Sequence, residues 1–195
     1  MRFFVILVAT MFLGLVVQHF IAPLQPYGVR VLIMPVIMFY GALALPVPGM
    51  LALAFCGGLM WDALHVQTQI DLKGELNAEV ALGWSIVLYA MLGALMNGFR
   101  PLFQRGRWEI HCLLSGVCTS VIVFAEYLMR TFRQGWDTDL PEQVTFIFNR
   151  EVWWRIGGAG LIAVLLSPFF FFALNYIAFL VGKDPQPARE AKRPT

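Results

Sequence analysis

Six long apolar runs alternate with polar segments along the chain. A membrane-spanning helix needs about 20 mainly apolar residues, and each run comes close to that length. Proline-rich or charged segments separate the runs, which is where helices are expected to end. The pattern therefore predicts six membrane-spanning helices: Phe3–Ala22, Val29–Leu45, Pro48–Leu64, Val80–Phe99, Ile110–Leu128 and Val152–Val181.

Two prolines and a row of small residues lie inside these predicted spans. Pro35 falls in the first half of the second span, and Pro168 follows Ser167 in the sixth. Membrane helices tolerate proline with a kink, because neighbouring helices re-satisfy the freed carbonyl, so we expect both helices to bend. In the fourth span, small residues recur every four positions and predict close contact with another helix: Ala90, Ala94 and Gly98.

The polar segments predict the parts of the chain outside the bilayer. His65–Glu79 is predicted as an exposed loop or a short surface helix, and Arg130–Glu151 as a longer polar segment. Lys183–Thr195 is polar and contains three prolines, a composition typical of disordered chain. We therefore predict one six-helix transmembrane domain over residues 1–182 and a disordered tail over residues 183–195.

Composition supports the membrane class and excludes an ordinary soluble domain. The 195 residues are 59% hydrophobic and 13% charged, whereas soluble domains carry about 25% charged residues. The three cysteines, Cys56, Cys112 and Cys118, lie in apolar runs without the spacing of a metal site. We interpret them as helix-packing residues. Lipid is the expected surroundings, and nothing in the sequence indicates nucleic-acid binding.

The distribution of Lys and Arg predicts the orientation in the membrane. Eight of the 14 lie near the termini or in the short turn Arg100–Glu109, and six lie on the opposite face. The positive-inside rule therefore predicts that both termini are cytoplasmic. Tryptophans are expected at the two membrane boundaries, with Trp61 predicted to anchor the third span at the outer one. The protein is accordingly predicted as a multi-pass inner-membrane protein.

Asp62 is the first acid that a lipid environment makes costly. It follows Gly57 and Gly58 at the end of the third span, and an acid at the centre of a membrane helix costs about 2.5–3.5 kcal/mol on insertion scales. Glycines allow another helix to approach closely. The pattern predicts a packed, polar joint between helices. The alternative is an acid at the helix end that touches only headgroups and water.

Glu126 is the second such acid, inside an apolar part of the fifth span. Arg130 follows four residues later on the same helical face and is the obvious ionic partner. An acid within the membrane is by default a functional candidate. The alternative is a purely structural ion pair that fixes the helix orientation.

No catalytic pattern is visible in the sequence. The three histidines lie on separate segments, no serine has a base nearby in the sequence, and no glycine-rich phosphate loop occurs. We therefore expect a protein without enzymatic activity and without a cofactor or a metal site.

The order of these features resembles the bacterial rod shape-determining protein MreD family, from about Val29 to Ile177. The Gly58–Leu64 stretch, Gly-Leu-Met-Trp-Asp-Ala-Leu, is similar to the family's Gly-x-x-x-Asp-Leu element. The other segments that carry the resemblance are Tyr40–Pro46 (Tyr-Gly-Ala-Leu-Ala-Leu-Pro), Leu82–Gly83, Val123–Glu126 (Val-Phe-Ala-Glu) and Ser167–Phe169 (Ser-Pro-Phe).

The resemblance implies a scaffold subunit of the cell-elongation machinery in peptidoglycan synthesis. Such a subunit would bind MreC and link it indirectly to MreB, RodA and a class B penicillin-binding protein. The implied fold is an all-α bundle of six transmembrane helices, similar to the S-components of energy-coupling-factor transporters. The alternative function is therefore a vitamin-like small-molecule binding subunit of such a transporter. The residues expected to pack helices or bind a partner are Gly57, Gly58, Asp62, Glu126, Arg130 and Pro168.

Overall fold

The computed structural model describes most of the chain, and the described residues form a helical bundle. The described residues are 2–24, 28–64, 67–70, 76–79, 83–101, 108–136 and 150–182, with the backbone alone at 67–70, 76–79, 130 and 132–136. The predicted tail, residues 183–195, lies outside them. So do residues 65–66 and 71–75 of the first predicted outer segment and residues 137–149 of the second.

Six helices and one short hairpin make up the described chain. Four helices are long and apolar enough to cross a membrane, which is consistent with a membrane protein, and α2 and α4 are shorter apolar helices. The elements are α1 (Arg2–Phe20), α2 (Met34–Ala44), α3 (Val47–Leu64), β1 (Gln67–Ile70), β2 (Leu76–Glu79), α4 (Trp84–Gly98), α5 (Trp108–Trp136) and α6 (Arg150–Leu180).

Helix α2 is the centre of the bundle. All of its 11 residues are buried, and it contacts each of the other five helices. Its length is only about 17 Å at 1.5 Å per residue. The predicted second span, Val29–Leu45, was therefore too long at its start. A helix enclosed by other helices on all sides does not face lipid, so its own length need not match the bilayer thickness.

Pro35 and Gln18 explain where α2 begins. Pro35 lies in the first turn of α2, where its missing N–H leaves no bond unmade. The predicted kink at Pro35 is therefore wrong, because the helix starts there instead of continuing through it. The side chain of Gln18 on α1 supplies the cap: its Oε1 accepts hydrogen bonds from the backbone N–H of Ile33 at 3.0 Å and of Met34 at 3.3 Å.

The described residues between α3 and α4 form a β-hairpin, where an exposed loop or a short surface helix was predicted. Strands β1 and β2 pair antiparallel, with Thr68 opposite Ala78 and Ile70 opposite Leu76. Helix α4 then begins at Trp84, later than the predicted Val80, because Gly83 before it has a φ of 106°. That left-handed backbone cannot continue into a right-handed helix, and glycine adopts it without a steric penalty.

Helix α5 extends further than the sequence indicated. The fifth span was predicted to end at Leu128, and the polar segment to begin at Arg130, but the helix continues to Trp136. Its apolar part, Trp108–Met129, has the length of a membrane span. The remaining turns are polar helix, which the switch from apolar to polar residues could not distinguish from a loop.

The core and the outer surface of the bundle are both apolar. In the core, the ring of Tyr40 on α2 packs against Phe171 on α6, with centroids 5.6 Å apart. On the outside, large apolar side chains of α1 and α6 remain exposed, among them Phe12, Leu165 and Phe172. Such a surface is a liability in water and is suited to lipid contact.

Small residues set the close contact between α5 and α6. A Cβ placed on Gly116 would lie 2.7 Å from the carbonyl oxygen of Gly160, and one placed on Gly160 would lie 2.9 Å from that of Gly116. One turn further along α5, the hydroxyl of Ser120 donates a hydrogen bond of 3.2 Å to the carbonyl of Ile156. Backbones this close are the usual solution for helix association in lipid.

Candidate functional sites

Two regions contain the polar residues that the sequence singled out. The first is the Asp62 joint, formed by Gly58 and Asp62 on α3 with Gly83 and Ile86 at the start of α4. The second is an interhelix cavity of about 350 Å³, bordered by α1, α3, α5, α6 and the chain between α1 and α2.

Asp62 bonds the end of α3 to the beginning of α4. Its side chain is only 7% exposed, and its Oδ2 accepts a hydrogen bond of 2.8 Å from the backbone N–H of Gly83. The first N–H groups of a helix have no partner within the helix, and a negative charge at that end is favourable. The bond therefore closes the chain at the base of the hairpin and satisfies a donor that the fold would otherwise leave unmet.

Gly58 lets the two helices meet at this joint. A Cβ placed on Gly58 would lie 2.5 Å from both the backbone nitrogen and the Cα of Ile86. Backbone atoms cannot move aside as a flexible side chain can, so only glycine fits this position. Gly57 lies on the core side of α3, where its added Cβ would meet the methyl of Met34 at 2.9 Å.

Trp61 is buried inside the bundle. It is 4% exposed, and its ring packs edge-on against Tyr89 of α4, with centroids 6.3 Å apart. The aromatic-belt rule concerns depth along the membrane normal and not the direction in which a side chain points, so the predicted depth of Trp61 at the outer boundary stays a prediction. Trp61 belongs to the core and contributes one wall of the cavity.

The interhelix cavity combines charged groups with an apolar wall. Its polar lining residues are Gln18, His19, Arg30, Glu126, Tyr127 and Arg155. Its apolar lining includes Trp61, Val123, Ile156 and Ala159. A volume of about 350 Å³ is at the lower end of the usual range for ligand pockets, roughly 300–1,000 Å³.

Glu126 faces this cavity from α5. It is half-buried, and Tyr127 beside it lines the cavity too. The side chain of Arg130, its predicted partner, lies outside the described residues. The predicted ion pair therefore stays a prediction.

A tight turn positions the two arginines of the cavity. Leu24 and Val29 form an antiparallel bridge, with the N–H of Leu24 donating to the carbonyl of Val29 at 2.9 Å. Gly28 in that turn has a φ of 64°, and a Cβ placed there would lie 3.4 Å from Nε of Arg155. The guanidinium of Arg155 thus rests against the turn, and Arg30 follows two residues after Gly28.

Two other predicted features lie elsewhere. Pro168 is half-buried within α6, and the preceding Ser167 donates a hydrogen bond of 2.6 Å to the carbonyl of Ala163. In the predicted small-residue row of α4, Ala90 is half-buried and packs against the core, but the other two residues do not. Ala94 and Gly98 are exposed, and a Cβ on Gly98 would meet nothing within 4 Å.

Gln18, Arg30 and Arg155 were missed as site residues. Arg30 and Arg155 entered the sequence analysis only as counted positive charges, and Gln18 lay unremarked in the first span. A usable signal existed for Gln18, because a polar amide near the end of an apolar helix needs a partner. Nothing in the sequence indicated that two arginines 125 positions apart share one cavity.

Comparison with protein-family models, with curated proteins and with solved structures finds no match for this chain.

Proposed function

We propose that the protein is a non-enzymatic scaffold subunit of the bacterial cell-elongation machinery, similar to MreD. In this proposal it lies in the inner membrane with both termini cytoplasmic, has six membrane helices including the short α2 and α4, and binds an MreC-like protein outside. MreB, RodA and a class B penicillin-binding protein would be reached indirectly. Support comes from the ordered motifs of the sequence, of which Gly58–Leu64 is the most distinctive.

The Asp62 joint is the structural observation that supports a scaffold best. The acid of that motif is 7% exposed and bonded to the backbone of the next helix, which is the geometry of a fixed connection. A fixed connection at the base of the β1–β2 hairpin gives a partner a surface of defined shape, so less ordering free energy is lost on binding. Because the hairpin follows α3 directly, the joint sets where it leaves the bundle.

The cavity favours a second candidate, the small-molecule binding subunit of an energy-coupling-factor type transporter. Such a subunit needs polar groups that converge on an enclosed space, and six polar side chains line the cavity. A scaffold does not need such a space, so the cavity is the observation that favours this second candidate.

Co-purification from native membranes tests the proposal. The tagged full chain is solubilised in a mild detergent, and its partners are identified by mass spectrometry. The scaffold proposal predicts an MreC-like protein in stoichiometric amounts. Recovery of a pair of ATPases without an MreC-like protein would overturn it and support the transporter candidate.

A further inference from the structure

We propose that the interhelix cavity is a binding site for a phosphate-bearing anionic headgroup, held by Arg30 and Arg155. The inference goes beyond the scaffold proposal and does not depend on it. The anion could come from a membrane phospholipid or from a small soluble phosphate ester. The chemistry recognised is the same for both sources, and the experiment below distinguishes them.

The two arginines are the first support. Arg30 follows the turn after α1, whereas Arg155 lies on α6, and both line the same cavity. Among the described residues, neither guanidinium makes a hydrogen bond or an ion pair, and both side chains are exposed. The two guanidinium groups bring two positive charges to the cavity lining, and an anion bound there would neutralise them. A phosphate matches their planar, multiple-donor geometry.

The backbone beside the arginines makes the arrangement specific. The Leu24–Val29 bridge fixes the turn that carries Arg30, and Gly28 provides a flat surface against which Arg155 lies. A binding group whose position is already set loses less conformational entropy when it binds a ligand. The fold thus sets the backbone beside Arg30 and the position of the Arg155 guanidinium before a ligand enters.

The remaining lining limits what the ligand can be. A cavity of about 350 Å³ takes a headgroup or a compact molecule and is too small for a two-chain lipid. For a lipid, the acyl chains would lie outside, where Phe20 is 87% exposed and Leu24 is exposed beside the lining. Glu126 in the lining favours a headgroup with hydrogen-bond donors, because a carboxylate accepts up to about four hydrogen bonds.

The location also suits a phosphate. Trp153 and Trp154 on α6 are exposed close to Arg155 in the sequence, and exposed tryptophans are typical of the membrane–water boundary. Phospholipid phosphates lie at that depth, and arginine-containing pockets between membrane helices bind such headgroups.

The test uses the purified full chain in detergent with three probes. Phosphatidylglycerol represents the lipid source, glycerol 3-phosphate represents the soluble source, and diacylglycerol controls for acyl chains without an anion. Binding is measured by native mass spectrometry and by the ligand-induced increase in Tm. We expect binding of phosphatidylglycerol, of glycerol 3-phosphate, or of both, and no comparable binding of diacylglycerol. Phosphatidylglycerol alone identifies a lipid site, and glycerol 3-phosphate identifies a site that a free phosphate ester can fill.

Substitutions then assign the binding to the cavity. Arg30→Gln and Arg155→Gln should each weaken binding about tenfold or more, the effect of removing one charge-assisted hydrogen bond. Arg150→Gln, which removes the same charge from α6 outside the cavity lining, should leave binding within about twofold. Val152 on α6 also lines the cavity. Val152→Phe narrows the cavity without removing a charge and should weaken binding as well, which keeps the test valid if an arginine variant fails to fold.

Three results would overturn the inference. The first is the absence of binding of both phosphate probes to the wild-type chain. The second is an equal loss in the Arg150→Gln control, which would indicate attraction to surface charge in general. The third is unchanged binding in folded Arg30→Gln, Arg155→Gln and Val152→Phe variants. None of these results bears on recovery of an MreC-like partner, so the two proposals fail separately.

Discussion

The Asp62 joint and the interhelix cavity use similar residues in opposite ways. Each contains an acid near an aromatic side chain in an otherwise apolar bundle. At the joint, Asp62 is buried and bonded to Gly83, and Gly58 leaves no space between α3 and α4. At the cavity, Glu126 is half-buried and borders about 350 Å³ of open space. Backbone contact between α3 and α4 closes the Asp62 joint. The interhelix cavity is not closed by such a contact and stays accessible.

This difference indicates which property each region controls. A polar group that is buried and satisfied by backbone contributes to the fold, because its loss leaves a donor unmet. Polar groups around an accessible cavity are available to a ligand, and their loss changes binding more than folding. Substitutions at the joint should therefore act on the free energy of unfolding, and substitutions at the cavity on affinity.

The largest expected effect is that of Gly58→Ala at the joint. The added methyl would meet backbone atoms of Ile86 at 2.5 Å, so we expect a loss at the upper end of the ~1–3 kcal/mol typical of overpacking. The matched control is Gly98→Ala on α4, where a Cβ meets nothing and where alanine should be neutral or stabilising by up to about 1 kcal/mol. Thermal unfolding in detergent measures both. Equal stability of the two variants would show that α3 and α4 are not in backbone contact.

Asp62→Ala should have the next largest effect. It removes the acceptor of the Gly83 N–H, and an unmet buried donor costs about 1–3 kcal/mol. Asp62→Asn keeps a carbonyl acceptor and should lose less. Exposed Glu151 provides the control, since Glu151→Gln should change the unfolding free energy by less than about 0.5 kcal/mol. An Asp62→Ala protein as stable as the control would show that the hydrogen bond between Asp62 and Gly83 does not stabilise the fold.

Glu126→Gln tests whether the cavity acid also has a structural role. If Glu126 pairs with Arg130, we expect a loss of about 1–2 kcal/mol, between the values for exposed and for buried ion pairs, because Glu126 is half-buried. Adding Arg130→Gln should then restore part of the stability. Losses that simply add in the double variant would mean that the two side chains do not interact.

Gln18 has both a structural contact and a place in the cavity lining, and its substitution should have the smallest effect on stability. Its Oε1 caps α2, and its side chain also lines the cavity. Gln18→Leu should therefore cost about 1 kcal/mol, as for a lost helix cap, and should also lower affinity for the phosphate probe modestly. Thr10→Val on α1, which removes only a hydroxyl bonded to its own helix, is the control. An unchanged unfolding free energy would contradict the capping role.

The sequence predicted the long helices well because their apolar runs are long enough to be distinctive. The bounds of α1, α3 and α6 fall within two residues of the predicted spans. The short helices were predicted less well. The pattern could not show that residues 30–33 lie outside the helix, or that Gly83 stops α4 from starting earlier. Both boundaries depend on backbone conformation and capping, not on hydrophobicity.

The candidate sites were predictable only in part. Asp62 and Glu126 stood out because an acid in an apolar run is costly. The groups around them did not, since Gly83 acts through its backbone N–H and Arg155, which lines the same cavity as Glu126, lies 29 positions from it. The direction of the Trp61 side chain could not be predicted either, for a related reason. A one-dimensional pattern gives depth in the membrane but not which side chains converge on one space.

The most direct test measures partner binding and phosphate binding for one variant of each region. Asp62→Leu and Arg155→Gln are compared with the wild-type chain by pull-down of the MreC-like protein and by binding of phosphatidylglycerol. The account predicts that both variants insert in the membrane. Asp62→Leu should weaken the pull-down and keep phosphatidylglycerol binding, whereas Arg155→Gln should keep the pull-down and weaken phosphatidylglycerol binding. Loss of both activities in a folded Arg155→Gln variant, or a normal pull-down with Asp62→Leu, would contradict the separation of the joint from the cavity.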